Sequence, residues 1–302
     1  MRARSDGRPG PVGAPWELRP MTVDDVGGAL AVVADATAAR AHVEPDVPPA
    51  PPSRASEESA RAAHARFVAR DGPGAWVAES HGRVVGVAES IRRGDFWGLS
   101  MLFVHPDFQS RGVGRRLIEA GLGYAAGARV RMIQSSPDPR AMRRYALAGL
   151  AMHPAVEVRG TPDRRAVPAS LTGRAGSAAD LDIVAAVEAE LGRDRADDAA
   201  FLLQDPDVRL DVVDSGGRRG WVLWRAGRLI MLGATDEGTA ASLLWRFLAG
   251  NDGDVSVSGL TAAQDWAFSV AHAAHLTLAS SGAMFVDGMH VPGPWIPSGW
   301  YF

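Results

Sequence analysis

The 302-residue sequence predicts an α/β protein in which a mixed β-sheet is flanked by helices, and it predicts that arrangement twice. Three observations carry the prediction. Leu102–Leu117 (LFVHPDFQSRGVGRRL) runs from an apolar strand through a glycine loop into a segment of helical spacing. Two hairpins with turn glycines precede strand–loop–helix units: Trp76–Val87 around Gly82, and Val212–Leu223 around Gly216–Gly217. The order of elements in the first half then recurs in the second, and an internal repeat of this length sets the reading of the whole fold.

The elements follow in order. Residues 1–15 (MRARSDGRPGPVGAP) are rich in Gly, Pro and Arg and lack an apolar run, so they read as a flexible tail and not as a secretory signal. Thr22–Asp25 (TVDD) is a capping-box-like start, and Val26, Leu30 and Val33 share one helical face behind it. Glu44–Ser53 carries consecutive prolines, which favour polyproline II and forbid helix. After the first hairpin comes the strand–loop–helix of Met101–Leu122. A short strand, Val130–Ile133, then precedes a helix, Pro139–Ala148. Gly160–Gly173 is a Thr/Pro/Arg-rich linker. Beyond it Ser177–Asp180 (SAAD) repeats the helix start, with Leu181, Val184, Val187 and Leu191 behind it. The second hairpin, the strand–loop–helix of Leu229–Leu248, the strand Val255–Val257 and the helix Ala262–Ala274 complete the repeat. The expected organisation is a tail over 1–15 and domains over 16–160 and 161–302.

The loop between Val104 and Leu117 is the chemical centre of the sequence. Gln109, Gly112 and Gly114 stand in a Q-x-x-G-x-G spacing, and a helix begins behind them. Such a bend turns successive N–H groups toward one point, where the positive end of the helix dipole also lies. A diphosphate is the natural occupant. Arg111, Arg115 and Arg116 add cationic charge. A Rossmann loop fits less well, because no third glycine follows at G-x-G-x-x-G spacing. A P-loop is excluded, because the chain contains no lysine.

This segment resembles the acetyl-CoA pyrophosphate loop of the GNAT N-acetyltransferase superfamily, whose pattern is Q/R-x-x-G-x-G/A after a strand ending in V-x-P. His105–Pro106 supplies the x-P. The resemblance covers residues 16–160 through specific motifs and 161–302 only through pattern, and it implies two tandem GNAT-like domains. It implies that Leu102, Phe103 and Val104 offer backbone groups to the pantetheine arm and the acetyl oxygen. It implies that Gln109, Ser110, Arg111, Gly112, Val113, Gly114 and Arg115 form the diphosphate loop. Ala141–Leu150 (AMRRYALAGL) resembles the family's helix ending in Y-x-x-x-G-F, which makes Tyr145 the candidate acid for the departing thiolate. The family often has Asn seven residues earlier, contacting the pantetheine arm; here that position is Asp138. Gly149–Leu150 replaces Gly-Phe. Many relatives carry a basic Glu in the strand before the loop, but Phe96–Val104 has no carboxylate. Glu89 is therefore the candidate base, with Asp95 the other nearby carboxylate, His105 a poorer choice and a water chain the alternative. In GNAT folds the loop corresponding to 44–53 lies beside the substrate, so it reads either as a wall of the acceptor site or as a passive loop.

The halves are unequal. Where the first has HPDFQSRGVG, the second has ATDEGTAAS (Ala234–Ser242), with Asp236–Glu237 where a diphosphate needs positive charge. The second half reads as degenerate, and the position matching Tyr145 falls near Ala271. The C-terminus, Pro292–Phe302 (PGPWIPSGWYF), is aromatic and proline-rich. It reads as a closing strand or, alternatively, as a segment reaching the first domain's cleft.

Composition narrows the function. A net charge of −3 gives no nucleic-acid footprint, and no apolar run is long enough for a membrane span. All 32 basic residues are arginine, which fits a G+C-rich coding bias or a surface without lysines to acetylate. With zero cysteines there is no disulfide, no thiolate zinc site and no Cys acyl-enzyme. His272 and His275, three apart on a predicted helix, lack a third ligand, so no metal is expected. The expected activity is acetyl-CoA-dependent N-acetylation of a primary amine on a small molecule or peptide, in a cytoplasmic monomer or homodimer without nucleic-acid or membrane partners. A non-catalytic acyl-CoA sensor or scaffold is the alternative.

Overall fold

The computed structural model describes residues 16–41, 54–288 and 293–297. The expected tail (1–15), the proline-rich segment 44–53 and the last residues, 298–302, lie outside the described residues. The first run of elements is β1 (Glu17–Pro20), α1 (Val26–Ala41), α2 (Arg54–Asp71), β2 (Ala75–Ser80), β3 (Arg83–Arg93), β4 (Phe96–Val104), α3 (Val113–Tyr124), β5 (Val130–Ser135), α4 (Pro139–Leu147) and β6 (Ala151–Gly160). The second is β7 (Arg174–Ala175), α5 (Leu181–Glu190), α6 (Ala196–Leu202), β8 (Arg209–Ser215), β9 (Arg218–Arg225), β10 (Arg228–Ala234), α7 (Glu237–Ala249), β11 (Val255–Leu260), α8 (Asp265–Ala273) and β12 (Thr277–Asp287). The two runs have the same order of strands and helices. A last short strand, β13 (Trp295–Ile296), follows.

Local chemistry explains the helix starts. Thr22 N–H donates to Asp25 Oδ2 at 2.8 Å, Ser177 N–H to Asp180 Oδ2 at 2.9 Å, and Thr261 N–H to Gln264 Oε1 at 2.9 Å. Each closes a capping box that satisfies donors a helix start leaves open. In the first two boxes an arginine three residues upstream of the cap clamps the acid: Arg19 on Asp25 at 2.7 Å, and Arg174 on Asp180.

One compact unit takes the described residues of Met1–Ile91 with Met101–Ala126. Here β1 pairs antiparallel with β2, and β2 with β3. Val26, Ala29 and Val32 of α1 bury against Val77 and Val87 of these strands. On α3, Val113 and Leu117 sit over Gly86 of β3, so closely that a Cβ at Gly86 would lie 2.9 Å and 3.0 Å from them. The glycine thus lets the helix seat directly on the strand. Burying a side chain such as Leu117 contributes about 1.5–3 kcal/mol, and it fixes where the preceding loop points.

The other unit takes Arg92–Ser100 with Gly127–Phe302. Its strands run β5–β12–β6–β11–β10–β9–β8–β7, with the start of β4 parallel to β5 and β10 parallel to β11. The last strand of the second run, β12, lies antiparallel between β5 and β6, and β6 pairs with β11. The chain ends of the two runs are therefore interleaved. On α7, Leu243 and Thr239 sit over Gly220 of β9, where a Cβ would lie 2.7 Å and 2.8 Å away. This is the second-half counterpart of α3 on Gly86. The expectation of a mixed sheet flanked by helices is met throughout.

Candidate functional site

The glycine loop forms as its spacing requires. After β4 a short turn of Pro106–Phe108 follows, and Phe108 N–H and Gln109 N–H bond back to His105 and Pro106. Gln109 then donates its side-chain amide to Val104 O at 3.0 Å, tying the loop to the strand end. Ser110 (φ 61°) and Gly112 (φ 86°) both take the left-handed region. Gly112 is the N-cap of α3 and has no side chain to satisfy the helix amides. The first helical hydrogen bond is Arg116 N–H to Gly112 O. Among the described residues, the amides of Ser110, Arg111, Gly112, Val113, Gly114 and Arg115 carry no hydrogen bond to the chain. Six donors at a helix N-terminus with no internal acceptor make an anion cradle. Left-handed backbone demands glycine at 112, and nothing in the described chain lies within 4 Å of a Cβ placed there. At Gly114 a Cβ would make only ordinary contact, 3.7 Å from Val104 Cγ2. The guanidinium of Arg111 stands 5.4 Å from the Phe108 ring, and Arg115 pairs loosely with Glu119 at 3.8 Å. Leu102, Phe103 and Val104 are half-buried, at the last turn of pleat before the loop.

The other proposed residues lie elsewhere on the fold. Glu89 of β3 is fully buried, and its Oε1 is 2.6 Å from Nδ1 of His64 on α2, also fully buried. Burial pushes the Glu89 carboxyl up, while the His64 contact opposes that shift. Its Oε2 finds no hydrogen-bond partner among the described residues. His64 has no motif to announce it; the available signal was a histidine on the same helical face as Ala63 and Phe67, both buried.

Tyr145 lies on α4 at 6% exposure, its ring edge-on to Phe285 of β12 at 5.5 Å. Burial, with a smaller contribution from the Asp138 charge, pushes its phenol well above the usual tyrosine range. Asp138 is the N-cap of the same helix: its Oδ1 accepts from Arg140 N–H at 2.8 Å, and the Arg140 guanidinium sits at 3.0 Å. Burial alone would raise this carboxyl, but the Arg140 bonds hold it below the ordinary range. Its oxygens are thus engaged in holding the helix start.

The remaining alternatives have structural partners. Asp95 accepts the backbone amides of Arg129 and Val130 through its carbonyl and is exposed at its carboxylate. His105 faces Asp35 at 3.4 Å and accepts from Asp107 N–H at 3.3 Å. His275 is not on the predicted helix: α8 ends at Ala273, His275 has φ 59°, and it stands 3.5 Å from Asp163. The described part of the C-terminus pairs with β10, not with the first run of strands. Among the described residues no helix is long and apolar enough to cross a membrane.

Residues 40–154 match the model of the acetyltransferase (GNAT) family. Among solved structures the chain is similar to a proposed acetyltransferase from Pyrococcus horikoshii, at 14% identity over 99% of this chain and 100% of that one, with a TM-score of 0.74. It is also similar to GCN5-related N-acetyltransferases from Kribbella flavida (17% identity, 90% of this chain and 71% of that one, TM-score 0.59) and Sphaerobacter thermophilus (16%, 94% and 98%, TM-score 0.56). At these identities the likeness is one of fold. No curated protein matches the sequence. The family match falls on the segment that holds the glycine loop before α3, so the likeness to the GNAT acetyltransferases is centred on that loop.

Proposed function

We propose that this domain transfers the acetyl group of acetyl-CoA to a primary amine of a small molecule or peptide, by direct attack within a ternary complex. The observation that carries the proposal is the run of six amides from Ser110 to Arg115 without internal acceptors, wrapped over the start of α3. A diphosphate carries the oxygens these donors lack, and Arg111 and Arg115 supply countercharge. Acetyl-CoA brings a thioester carbonyl that amines attack readily.

The chain's residues then have separate tasks. The backbone of Leu102–Val104 aligns the donor arm and gives an N–H to the acetyl oxygen as it gains charge. As the N–C bond forms, the amine loses a proton and the C–S bond breaks. Glu89 takes the proton through water: burial raises its proton affinity, and His64 holds Oε1 in place. The Tyr145 phenol keeps its proton at neutral pH. It therefore serves the forming thiolate as a hydrogen-bond donor more readily than as a fully dissociating acid. With no cysteine in the chain, direct transfer needs no thiol acyl-enzyme.

Thiol release from acetyl-CoA against a panel of amines tests the reading. Turnover with at least one primary amine is expected. Tight acetyl-CoA binding with no turnover across the panel would instead support a sensor or scaffold.

A further inference from the structure

The second half also has an edge equivalent to Leu102–Val104: the end of β10, Leu232–Ala234, stands in the same place in the order of elements, just before a helix seated on a strand glycine. We infer that this edge is occupied by the chain's own C-terminal strand, so that β13 acts as an internal ligand and the protein carries one acyl-donor site, not two. The inference rests on the reading of Leu102–Val104 as the donor edge.

A strand has two hydrogen-bonding edges. One edge of β10 is held by β9 from Arg228↔Arg225 to Ala234↔Gly220. On the other, β11 pairs only at Arg228↔Ser256, and the rest would be left bare. That stretch is met by β13, with Leu232 opposite Ile296 and Gly233 opposite Trp295. Ala234 N–H donates to Pro294 O at 2.9 Å. The segment thus satisfies the backbone groups that an extended donor arm would use.

Side chains hold it from two directions. Trp295 and Ile296 are 2% and 1% exposed. The Arg193 guanidinium lies 4.0 Å from the Trp295 ring and is fixed by Glu188 Oε1 at 2.7 Å, which also accepts from Trp221 Nε1 at 3.2 Å. Gly233 leaves room for this group: a Cβ there would lie 2.8 Å from Glu188 Oε1. From the side of α8, Trp266 Nε1 donates to Gly293 O at 2.6 Å and Gln264 Nε2 to Trp295 O at 3.3 Å. Backbone pairing, a stacked cation and two side-chain donors converge on four residues, Gly293, Pro294, Trp295 and Ile296.

The test uses the full chain. Calorimetric titration with acetyl-CoA should give one equivalent, and the Gly112→Asp chain should give none. Two equivalents in the intact chain, or one remaining in Gly112→Asp, overturns the inference. Hydrogen exchange of the Leu232 and Ala234 amides, which face β13, reads the strand independently of acetyl-CoA. Trp295→Ala should speed their exchange at least tenfold, and Trp295→Phe, which keeps a ring under Arg193, should largely restore protection. Unchanged exchange in Trp295→Ala overturns the inference. An intact chain that binds no acetyl-CoA, yet loses protection in Trp295→Ala, would refute the donor-site reading and leave β13 as a structural strand only.

Discussion

The two strand–loop–helix units of this chain differ at the point where chemistry needs them to. In both, a helix is seated on a strand glycine, Val113 and Leu117 on Gly86 in one and Thr239 and Leu243 on Gly220 in the other. Aligning those contacts makes Gly112 the counterpart of Gly238. In the first unit Gly112 is left-handed and lies outside the helix; in the second Gly238 is already inside α7. The second helix has absorbed the residues that form the cradle in the first. Its remaining N-terminal donors meet the chain's own carboxylate, because Asp236 accepts Thr239 N–H at 2.9 Å and Thr239 Oγ1 at 2.6 Å. The Thr239 bonds hold the Asp236 carboxyl ionised below its usual range, against the effect of burial. One helix start has no acceptor among the described residues, and the other is closed by an internal carboxylate. A short loop with an acidic cap gives a stable helix; a longer loop with glycine leaves amides open at the expense of a capped start.

The comparison is broken most directly at Gly112. Gly112→Asp forces a side chain into φ 86° and puts a carboxylate on the cradle, much as Asp236 does. Acetyl-CoA affinity should fall at least about 100-fold in calorimetry, while the fold loses about 1–2 kcal/mol. Tyr145→Phe should lower kcat about 100-fold with KM for acetyl-CoA nearly unchanged in steady-state kinetics. The second half has Ala271 near that position, buried and without a donor.

The arginine-clamped capping boxes compare the halves by stability. The Arg19 guanidinium holds the Asp25 carboxyl down to about 2 from an ordinary 3.8. A depressed carboxylate stabilises above its unfolded value, so this contribution should be complete above about pH 5 and lost as pH falls from about 4 to 2. Asp25→Asn should cost about 1–2 kcal/mol at pH 7 by denaturant unfolding, and should flatten the acid limb. Asp180→Asn should cost less, because the Arg174 side chain is 60% exposed. Asp236→Ala should remove a cap worth about 1 kcal/mol and, with β13 in place, should not confer acetyl-CoA binding. Smallest of all, Gly114→Ala should keep acetyl-CoA affinity in calorimetry and raise stability by about 0.5 kcal/mol in the same unfolding assay, since its Cβ fits beside Val104.

Much of the candidate site was legible because its determinants are adjacent in the chain. The Q-x-x-G-x-G spacing, the apolar strand before it and the helix behind it all lie within Leu102–Leu117. The capping boxes at Thr22 and Ser177 likewise need only four residues each. The contact of His64 with Glu89 was not legible, since 25 residues separate them and neither belongs to a motif. Nor was the end of α8 before His275, which depends on a residue other than glycine taking the left-handed region.

By itself the sequence determined the local devices: which segments alternate or recur at helical spacing, where helices are capped, and where a glycine bend leaves amides without acceptors. Tertiary structure decided which strand edges meet. Backbone hydrogen bonds are alike in every strand, so pairing follows from burial and shape across distant segments, not from the residues of the strand alone. That is why β12 came to lie between β5 and β6, and why Pro294, Trp295 and Ile296 cover an edge of β10.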